Sequence, residues 1–213
     1  MSNSSSFACA KPGSAGRGFA LYVEGPRDQG LIEAWARRAE PALGRAVSRH
    51  TMILGGCRPV RAAEHFRALL GTDPEARGVC VLDRDLEGRP PPASARVAGL
   101  DYFTWPRRHI ESYLLVPDAI RRGARLPTDD SQVERFFRDM LPEDEAGLRD
   151  IDAKRLFGQH GPLAIWLGRT IPPVRVARAM RAEDFHADVH ELLRRLRNAL
   201  GLQTVEIAVV RRS

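Results

Sequence analysis

The sequence predicts an α/β fold, in which a mostly parallel sheet is flanked by helices and followed by a helical C-terminal extension. Two observations support this prediction. Short apolar runs suited to buried strands alternate with amphipathic stretches suited to helices in the first half of the chain, and from about Pro117 onward the pattern becomes helical. Alternation of strands and helices is typical of a parallel sheet covered by helices.

The first predicted strand is the apolar run at residues 19–23, which leads directly into Glu24. Gly25 and Pro26 then interrupt the chain, as glycine and proline commonly do between elements. A helix follows, because the next apolar residues recur at the spacing of one helical face. These residues are Leu31, Ile32, Trp35 and Ala39.

Three further strands are predicted before the helical half of the chain begins. The second spans residues 46–54 and is followed by an amphipathic helix at 59–70. The third is the apolar run at 78–82, and the fourth lies at 100–105. The third run is short, partly β-branched and bounded by Gly78 and Gly88, which indicates a buried strand.

The C-terminal extension reads as a series of helices. One begins at residues 133–137, and others are indicated at 163–166 and 174–180. The last and longest spans 183–200, where apolar residues form a continuous buried stripe. The stripe consists of Phe185, Val189, Leu192, Leu193, Leu196 and Leu200.

Acidic side chains follow three of the predicted strands. Glu24 ends the first strand, Asp83 and Asp85 end the third, and Glu111 follows the fourth, while Asp28 begins the first helix. Because the carboxyl ends of parallel strands meet at one edge of a sheet, we expect these carboxylates to lie together. Carboxylates so close repel one another unless a cation lies between them, and hard oxygen ligands suit Mg²⁺ or Mn²⁺.

Each carboxylate also has an ordinary explanation when it is taken alone. Aspartates often cap turns and helices, and a charged side chain in a loop is commonly solvated. The prediction of a metal site therefore depends on the coincidence of the carboxylates at successive strand ends.

Three motifs occur in an order that indicates a known family. Residues 23–28 read VEGPRD, residues 82–85 read LDRD, and residues 109–115 read HIESYLL. Together they resemble the Toprim metal-binding domain of topoisomerases, bacterial primases and several nucleases. In finer detail they are similar to the Toprim nucleases of the OLD (overcoming lysogenization defect) family, and to related stand-alone domains found beside ATPases in antiphage systems.

The resemblance implies a Rossmann-like sheet of about four strands and a divalent-metal site that hydrolyses phosphodiester bonds in DNA. The resemblance places a Toprim catalytic domain at 18–120. The first 17 residues are rich in serine, glycine and alanine and are predicted to be a disordered leader, and residues 121–213 form the predicted helical extension.

The same resemblance implies which residues form the site. Two Mg²⁺ or Mn²⁺ ions are expected, one held by Glu24, Asp83 and Asp85 and the other by Asp28 and Glu111. A downstream lysine assists catalysis in these nucleases, and Lys154 is the candidate here. Only two of the 33 Lys and Arg residues are lysines, Lys11 and Lys154, and a solvated helix position is the alternative explanation for Lys154.

OLD nucleases carry an ABC-type ATPase domain before the Toprim domain, and this chain differs from them in that respect. It has no Gly-x-x-x-x-Gly-Lys-Ser/Thr phosphate-binding loop. The resemblance therefore leaves two expectations: the protein acts alone, or a separate ATPase subunit controls it in antiphage defence.

The net charge of +6 favours an anionic partner, and DNA is the leading candidate. Arg84, Arg107 and Arg108 lie beside the acidic motifs and are predicted to contact the DNA backbone. Trp105 could stack on a base, although a buried tryptophan is the commoner case.

The cellular context is predicted from what the sequence lacks. The three cysteines have neither zinc-ligand spacing nor a disulfide pattern, which suits a reducing cytoplasm. No run approaches the roughly 20 apolar residues that a membrane span requires. The oligomeric state is left open.

Three alternative functions fit the same residues. A Toprim domain can also act in RNA maturation or nucleotidyl transfer. The chain could instead be a non-catalytic sensor or toxin subunit that docks on an ATPase. Finally, the carboxylates could bind a metal that only stabilises the fold.

Overall fold

The computed structural model describes residues 18–84 and 90–202. Asp85 and the predicted leader at 1–17 lie outside the described residues. Within the described residues, every helix is too short or too polar to cross a lipid bilayer.

Four strands form one sheet in which every neighbouring pair runs parallel. They are β1 (Phe19–Val23), β2 (Thr51–Ile53), β3 (Arg77–Leu82) and β4 (Leu100–Thr104). Their order across the sheet is β2-β1-β3-β4, so the two most apolar strands, β1 and β3, occupy the centre. The predicted α/β fold is confirmed.

Ten α-helices are found in the described residues, and six of them begin with a proline in the first turn. Proline suits that position because the first turn leaves its N–H groups without intrahelical partners. The helices are α1 (Pro26–Ala39), α2 (Pro41–His50), α3 (Pro59–Thr72), α4 (Pro117–Ala124), α5 (Gln132–Met140), α6 (Glu145–Asp150), α7 (Ala153–Leu156), α8 (Pro162–Trp166), α9 (Pro173–Ala179) and α10 (Ala187–Ala199).

The sheet separates two apolar clusters. Side chains of β1 alternate between them, with Leu21 in the larger cluster and Tyr22 in the smaller, as the two-residue period of a strand requires. The smaller cluster contains Phe66 of α3. The larger contains residues of α1 together with side chains of the C-terminal extension, including Val133 and Leu192. Sheet and extension therefore share one core.

The prediction of a second strand at 46–54 is wrong in its first half. Residues up to His50 belong to α2, and only Thr51–Ile53 pair with β1. Leu43 and Val47 are four residues apart and fully buried, so they lie on one face of a helix. The apolar helical face prevails over the β-branched side chain of Val47, because strand propensity depends strongly on context.

The last helix also begins later than predicted, although its buried stripe is confirmed. Residues Ala182–Asp184 form a 3-10 helix, and α10 starts only at Ala187. The backbone N–H of Asp188 donates a hydrogen bond to His186 Nδ1, which caps the helix at that point.

Candidate metal centre

The carboxyl ends of the two central strands bring Glu24 and Asp83 together. Glu24 follows β1 directly, Asp83 follows β3 directly, and these strands are hydrogen-bonded neighbours. Glu24 Oε1 accepts a hydrogen bond of 2.9 Å from the backbone N–H of Asp83. Successive strand ends thus place two of the predicted ligands in contact.

The Asp83 carboxylate is buried and held from two directions. Its Oδ1 atom accepts a hydrogen bond of 3.0 Å from the backbone N–H of Ile110. Its Oδ2 atom lies 2.6 Å from Lys154 Nζ. Ile110 begins the 3-10 helix Ile110–Leu114 and Lys154 lies on α7, so this carboxylate connects the sheet edge to two distant segments.

Glu111 is fully buried on the 3-10 helix Ile110–Leu114. Its Oε1 atom accepts a hydrogen bond of 3.0 Å from Arg27 Nη1. Its Oε2 atom is buried and has no hydrogen-bond partner among the described residues. Burying a carboxylate oxygen without a partner is costly, and a cation would remove that cost.

Asp28 lies in the first turn of α1, where Oδ2 accepts a hydrogen bond of 2.8 Å from the backbone N–H of Gly25. Burial, followed by the negative charge of Asp83, raises the pKa of Asp28 to about 6. The raised pKa shows that another negative charge is poorly tolerated at this position, as expected where carboxylates crowd together.

Lys154 brings a positive charge from the extension to this acidic edge. Burial alone would lower its pKa, but the hydrogen bond to Asp83 and the charges of Asp83, Glu111 and Asp28 outweigh burial and raise it. The side chain is therefore an ammonium ion at neutral pH, and 41% of it remains exposed. In this state it can stabilise negative charge but cannot accept a proton.

Four of these side chains, those of Glu24, Asp28, Glu111 and Lys154, line an open cleft of about 390 Å³, whereas Asp83 is not part of its lining. Two properties fit a hard divalent cation: the donors are carboxylate oxygens, and Glu111 Oε2 is buried without a described partner. Among the described residues, no group of three or more His, Cys, Asp and Glu side chains is already arranged to coordinate a metal ion. The lining residues are Glu24, Gly25, Pro26, Arg27, Asp28, Glu111 and Lys154.

Arg107, predicted to contact DNA, is buried and fully engaged with the protein. Its guanidinium forms a two-point pair with Glu145 of α6, at 3.1 and 2.8 Å. It also donates to the backbone oxygen of Ser112 at 2.9 Å and lies over the Tyr113 ring. This geometry makes Arg107 a connection between the segment after β4 and the extension.

The other two predicted DNA-binding arginines also contact the end of α6. Arg84 donates to the backbone oxygen of Arg149 at 3.1 Å and pairs with Asp150. The backbone N–H of Arg108 donates to the same oxygen at 2.7 Å. The segment that leads to Lys154 is thus fastened to the third and fourth strand ends.

Two residues near the cleft have contacts that the sequence did not predict, although His109 was expected to lie beside the acidic site as a basic group. Arg27 contacts Glu111, although its position inside the first motif could have indicated a role. His109 is buried, its pKa is lowered by burial and then by Lys154, and its Nδ1 lies 3.7 Å from Asp152 Oδ1. The third motif does not reveal that His109 is buried or that it lies near Asp152.

The fold resembles that of two solved structures. One is the C-terminal region of the Burkholderia pseudomallei OLD protein, with a TM-score of 0.50, 18% identity, and coverage of 86% of this chain and 98% of that chain. The other is the C-terminal region of the Xanthomonas campestris pv. campestris OLD protein, with a TM-score of 0.48, 18% identity, and coverage of 88% and 95%. No family model and no curated protein sequence matches the chain. The predicted resemblance to the OLD family is confirmed at the level of the fold.

Proposed function

We propose that this protein is a divalent-metal-dependent endonuclease that hydrolyses phosphodiester bonds in DNA. The observation that supports the proposal most directly is the contact of Glu24 with Asp83 at adjacent strand ends, beside Glu111, Asp28 and an ammonium group. The shared fold with the C-terminal region of an OLD protein agrees with this proposal.

Glu24, Asp83 and Asp85 would hold the principal ion, and Asp28 and Glu111 the second. Divalent ions in such a site stabilise the charge that develops on phosphate oxygens and make water a better nucleophile. Mg²⁺ and Mn²⁺ both suit carboxylate ligands.

The protein groups contribute orientation and charge. The Ile110 N–H fixes one oxygen of Asp83, so the carboxylate keeps its direction when the cleft is filled. Lys154 would move its ammonium from Asp83 toward the phosphate and neutralise the negative charge that grows during hydrolysis. Arg27, whose side chain is 49% exposed at the rim, would help to hold the phosphate in place.

We also propose that a separate ABC-type ATPase subunit controls this nuclease, as part of antiphage defence in the cytoplasm. This proposal depends on the OLD resemblance. Recovery of an ATPase with the affinity-purified protein, and stimulation of cleavage by that ATPase, would test it.

The central test is cleavage of supercoiled plasmid by purified protein with Mg²⁺ or Mn²⁺. The wild type is expected to nick or linearise the plasmid, and EDTA is expected to stop it. Asp83→Ala and Glu24→Ala should each lower the rate by about 100-fold or more. Each variant lacks a carboxylate that would hold the principal ion, and that ion would stabilise the charge of the transition state.

Lys154→Met should lower the cleavage rate by a similar factor without abolishing Mn²⁺ binding measured by calorimetry. Arg155→Met is the matched control, since Arg155 is the exposed neighbour on the same helix.

Structured RNA serves as a parallel substrate. If the wild type cuts neither plasmid nor RNA with any metal, both alone and together with the copurified ATPase, the proposed hydrolase is contradicted.

A further inference from the structure

A groove lined with arginines runs along α1 on the side where α9 packs. Its volume is about 460 Å³, and we call it the arginine groove. Neither the acidic motifs nor the proposed reaction accounts for it. Its lining residues are Gly30, Glu33, Ala34, Arg37, Arg38 and Arg178.

The floor of the arginine groove is made of small residues. A Cβ atom at Gly30 would lie 2.9 Å from Val174 Cγ2, so α9 packs closely against α1 at this position. Ala34 lies one turn further along α1 and is 7% exposed. Arg178 follows Val174 by one turn of α9 and lines the same groove as Ala34.

The groove has positive charge that the described protein does not neutralise. Glu33 is paired with Arg37 at 2.7 Å, which leaves the charge of that pair balanced. Arg38 and Arg178 are exposed, and neither has an ion pair or side-chain hydrogen bond with any described residue. Two guanidinium groups therefore remain available to an anion.

Exposed arginines that line the other grooves differ in whether they are paired. Arg194 and Arg195 line a different groove beside β3 and β4, but both are paired with Glu191 at 2.7 to 2.8 Å. Arg195 is also paired with Asp101. Arg45 and Arg49 of α2 line a third groove and are exposed without an ion pair to a described residue. The arginine groove differs from that one because it shares a helix with the acidic cleft.

The arginine groove and the acidic cleft lie on one face of the same helix. Arg27 lines the cleft, while Gly30, Ala34 and Arg38 line the groove. Their spacing of three or four residues places them on a single helical face. With a rise of about 1.5 Å per residue, Arg38 lies about 16 Å along the axis from Arg27.

We propose that the arginine groove binds the sugar-phosphate backbone of the nucleic-acid strand that is cut at the acidic cleft. This inference rests on the proposed function. A B-form strand carries one phosphate per about 3.4 Å of axis, so the distance from Arg27 to Arg38 corresponds to roughly four or five phosphates. The lining has no aromatic residue for base stacking, so the groove would hold the strand through its phosphate charge and spacing.

The test separates binding from cleavage. Binding of a labelled 15-nucleotide single strand, as DNA and as RNA, is measured in EDTA for the wild type, Arg38→Glu, Arg178→Glu and the double variant. Arg96→Glu is the matched control. Arg96 is exposed and ends the 3-10 helix Ala93–Ala95, which packs on α3 across the sheet from α1.

Each groove variant is expected to weaken binding about three- to tenfold and to lower the salt dependence of binding by about one ion. The double variant should combine both losses, and Arg96→Glu should bind like the wild type. Unchanged thermal melting would show that the variants remain folded. Groove variants that bind like Arg96→Glu would overturn the inference.

Hydrolysis of the small diester bis(p-nitrophenyl) phosphate with Mn²⁺ keeps the two proposals distinguishable. This substrate is too short to reach Arg38, so the groove variants should hydrolyse it at the wild-type rate. A wild type that binds the strand through the groove but hydrolyses neither diester nor plasmid would contradict the proposed hydrolase alone. Hydrolysis without any groove effect on strand binding would contradict the groove alone.

Discussion

Asp28 caps α1 by accepting a hydrogen bond from the Gly25 N–H, and it does so among other carboxylates. Burial and the charge of Asp83 raise its pKa to about 6, above the ordinary value of 3.8. The folded metal-free protein therefore binds a proton more tightly than the unfolded chain does. It follows that Asp28 makes the metal-free protein less stable as the pH rises between these two pKa values.

Replacing Asp28 by Asn keeps a side-chain oxygen for the cap and removes the charge. In EDTA at about pH 7.5, Asp28→Asn should increase the free energy of unfolding by about 1–3 kcal/mol relative to the wild type. The difference should shrink at about pH 4.5, where the wild-type carboxyl is mostly protonated. Denaturant titrations at both pH values measure it, and an equal difference at both would contradict the raised pKa.

The sequence predicted residues of this site to different degrees. The Glu24 and Asp83 contact could be predicted because parallel strands bring their carboxyl ends to one edge. Lys154 was suggested by resemblance alone, since no periodicity relates a four-residue helix to a strand end 71 residues earlier. Arg107 was expected to contact DNA because it lies beside an acidic motif. The sequence does not reveal that Glu145, 38 residues later, pairs with it.

The segment after β4 is fixed to the extension by an aromatic hydroxyl as well as by Arg107. The hydroxyl of Tyr113 donates to Asp188 Oδ2 of α10 at 2.6 Å and accepts from the Arg107 N–H at 3.1 Å. Burial and the hydrogen bond to Asp188 raise the pKa of Tyr113. The 3-10 helix that carries Glu111 is thus held between α6 and α10.

Arg107→Lys would keep the charge but lose the two-point pair with Glu145 and the planar contact with Tyr113. We expect the free energy of unfolding to fall by about 1–3 kcal/mol. Arg107→Gln, which removes the charge, should keep the wild-type salt dependence of strand binding in EDTA, because the buried side chain does not contact the nucleic-acid backbone. Arg138→Lys is the control, since Arg138 is exposed and pairs only with its neighbour Asp139 among described residues. A reduced salt dependence for Arg107→Gln would instead assign Arg107 to DNA contact.

Two elements differ from their predictions for physical reasons that act between elements. Residues 46–54 were expected to form a strand, but the first of them belong to α2, which packs against α1 and buries Leu43 and Val47. The start of α10 depends on His186 acting as a cap, and histidine is not among the preferred capping residues. By contrast, β1, β3 and α3 agree with prediction. The apolar runs of the two strands and the amphipathic spacing of the helix can each be recognised from the element's own residues.

The larger apolar cluster joins the sheet to the helices that follow it. Val79 of β3 and Phe103 of β4 belong to the same cluster as Phe136 of α5 and Leu196 of α10. No structural separation marks residue 120 in this cluster. Removing the extension would expose the sheet face that these helices cover.

A chain that stops at residue 120 should therefore fail to fold cooperatively. It would lose Val133, Phe136, Leu192 and Leu196, all fully buried, and removal of each such side chain typically costs about 2–5 kcal/mol. Circular dichroism melting and limited proteolysis of this fragment measure the effect. A fragment of residues 18–202 is the control and should melt cooperatively. Cooperative melting of the shorter fragment would show that the sheet is an independent folding unit.

The contact between Asp83 and Lys154 also determines when the acidic edge becomes complete during protein synthesis. The two residues are separated by 71 positions, and ribosomes add about 5–20 residues per second, so Lys154 is made about 4 to 14 s after Asp83. During that interval the nascent chain carries its carboxylates without their ammonium partner. A newly made molecule therefore cannot assemble this edge until translation has passed α7.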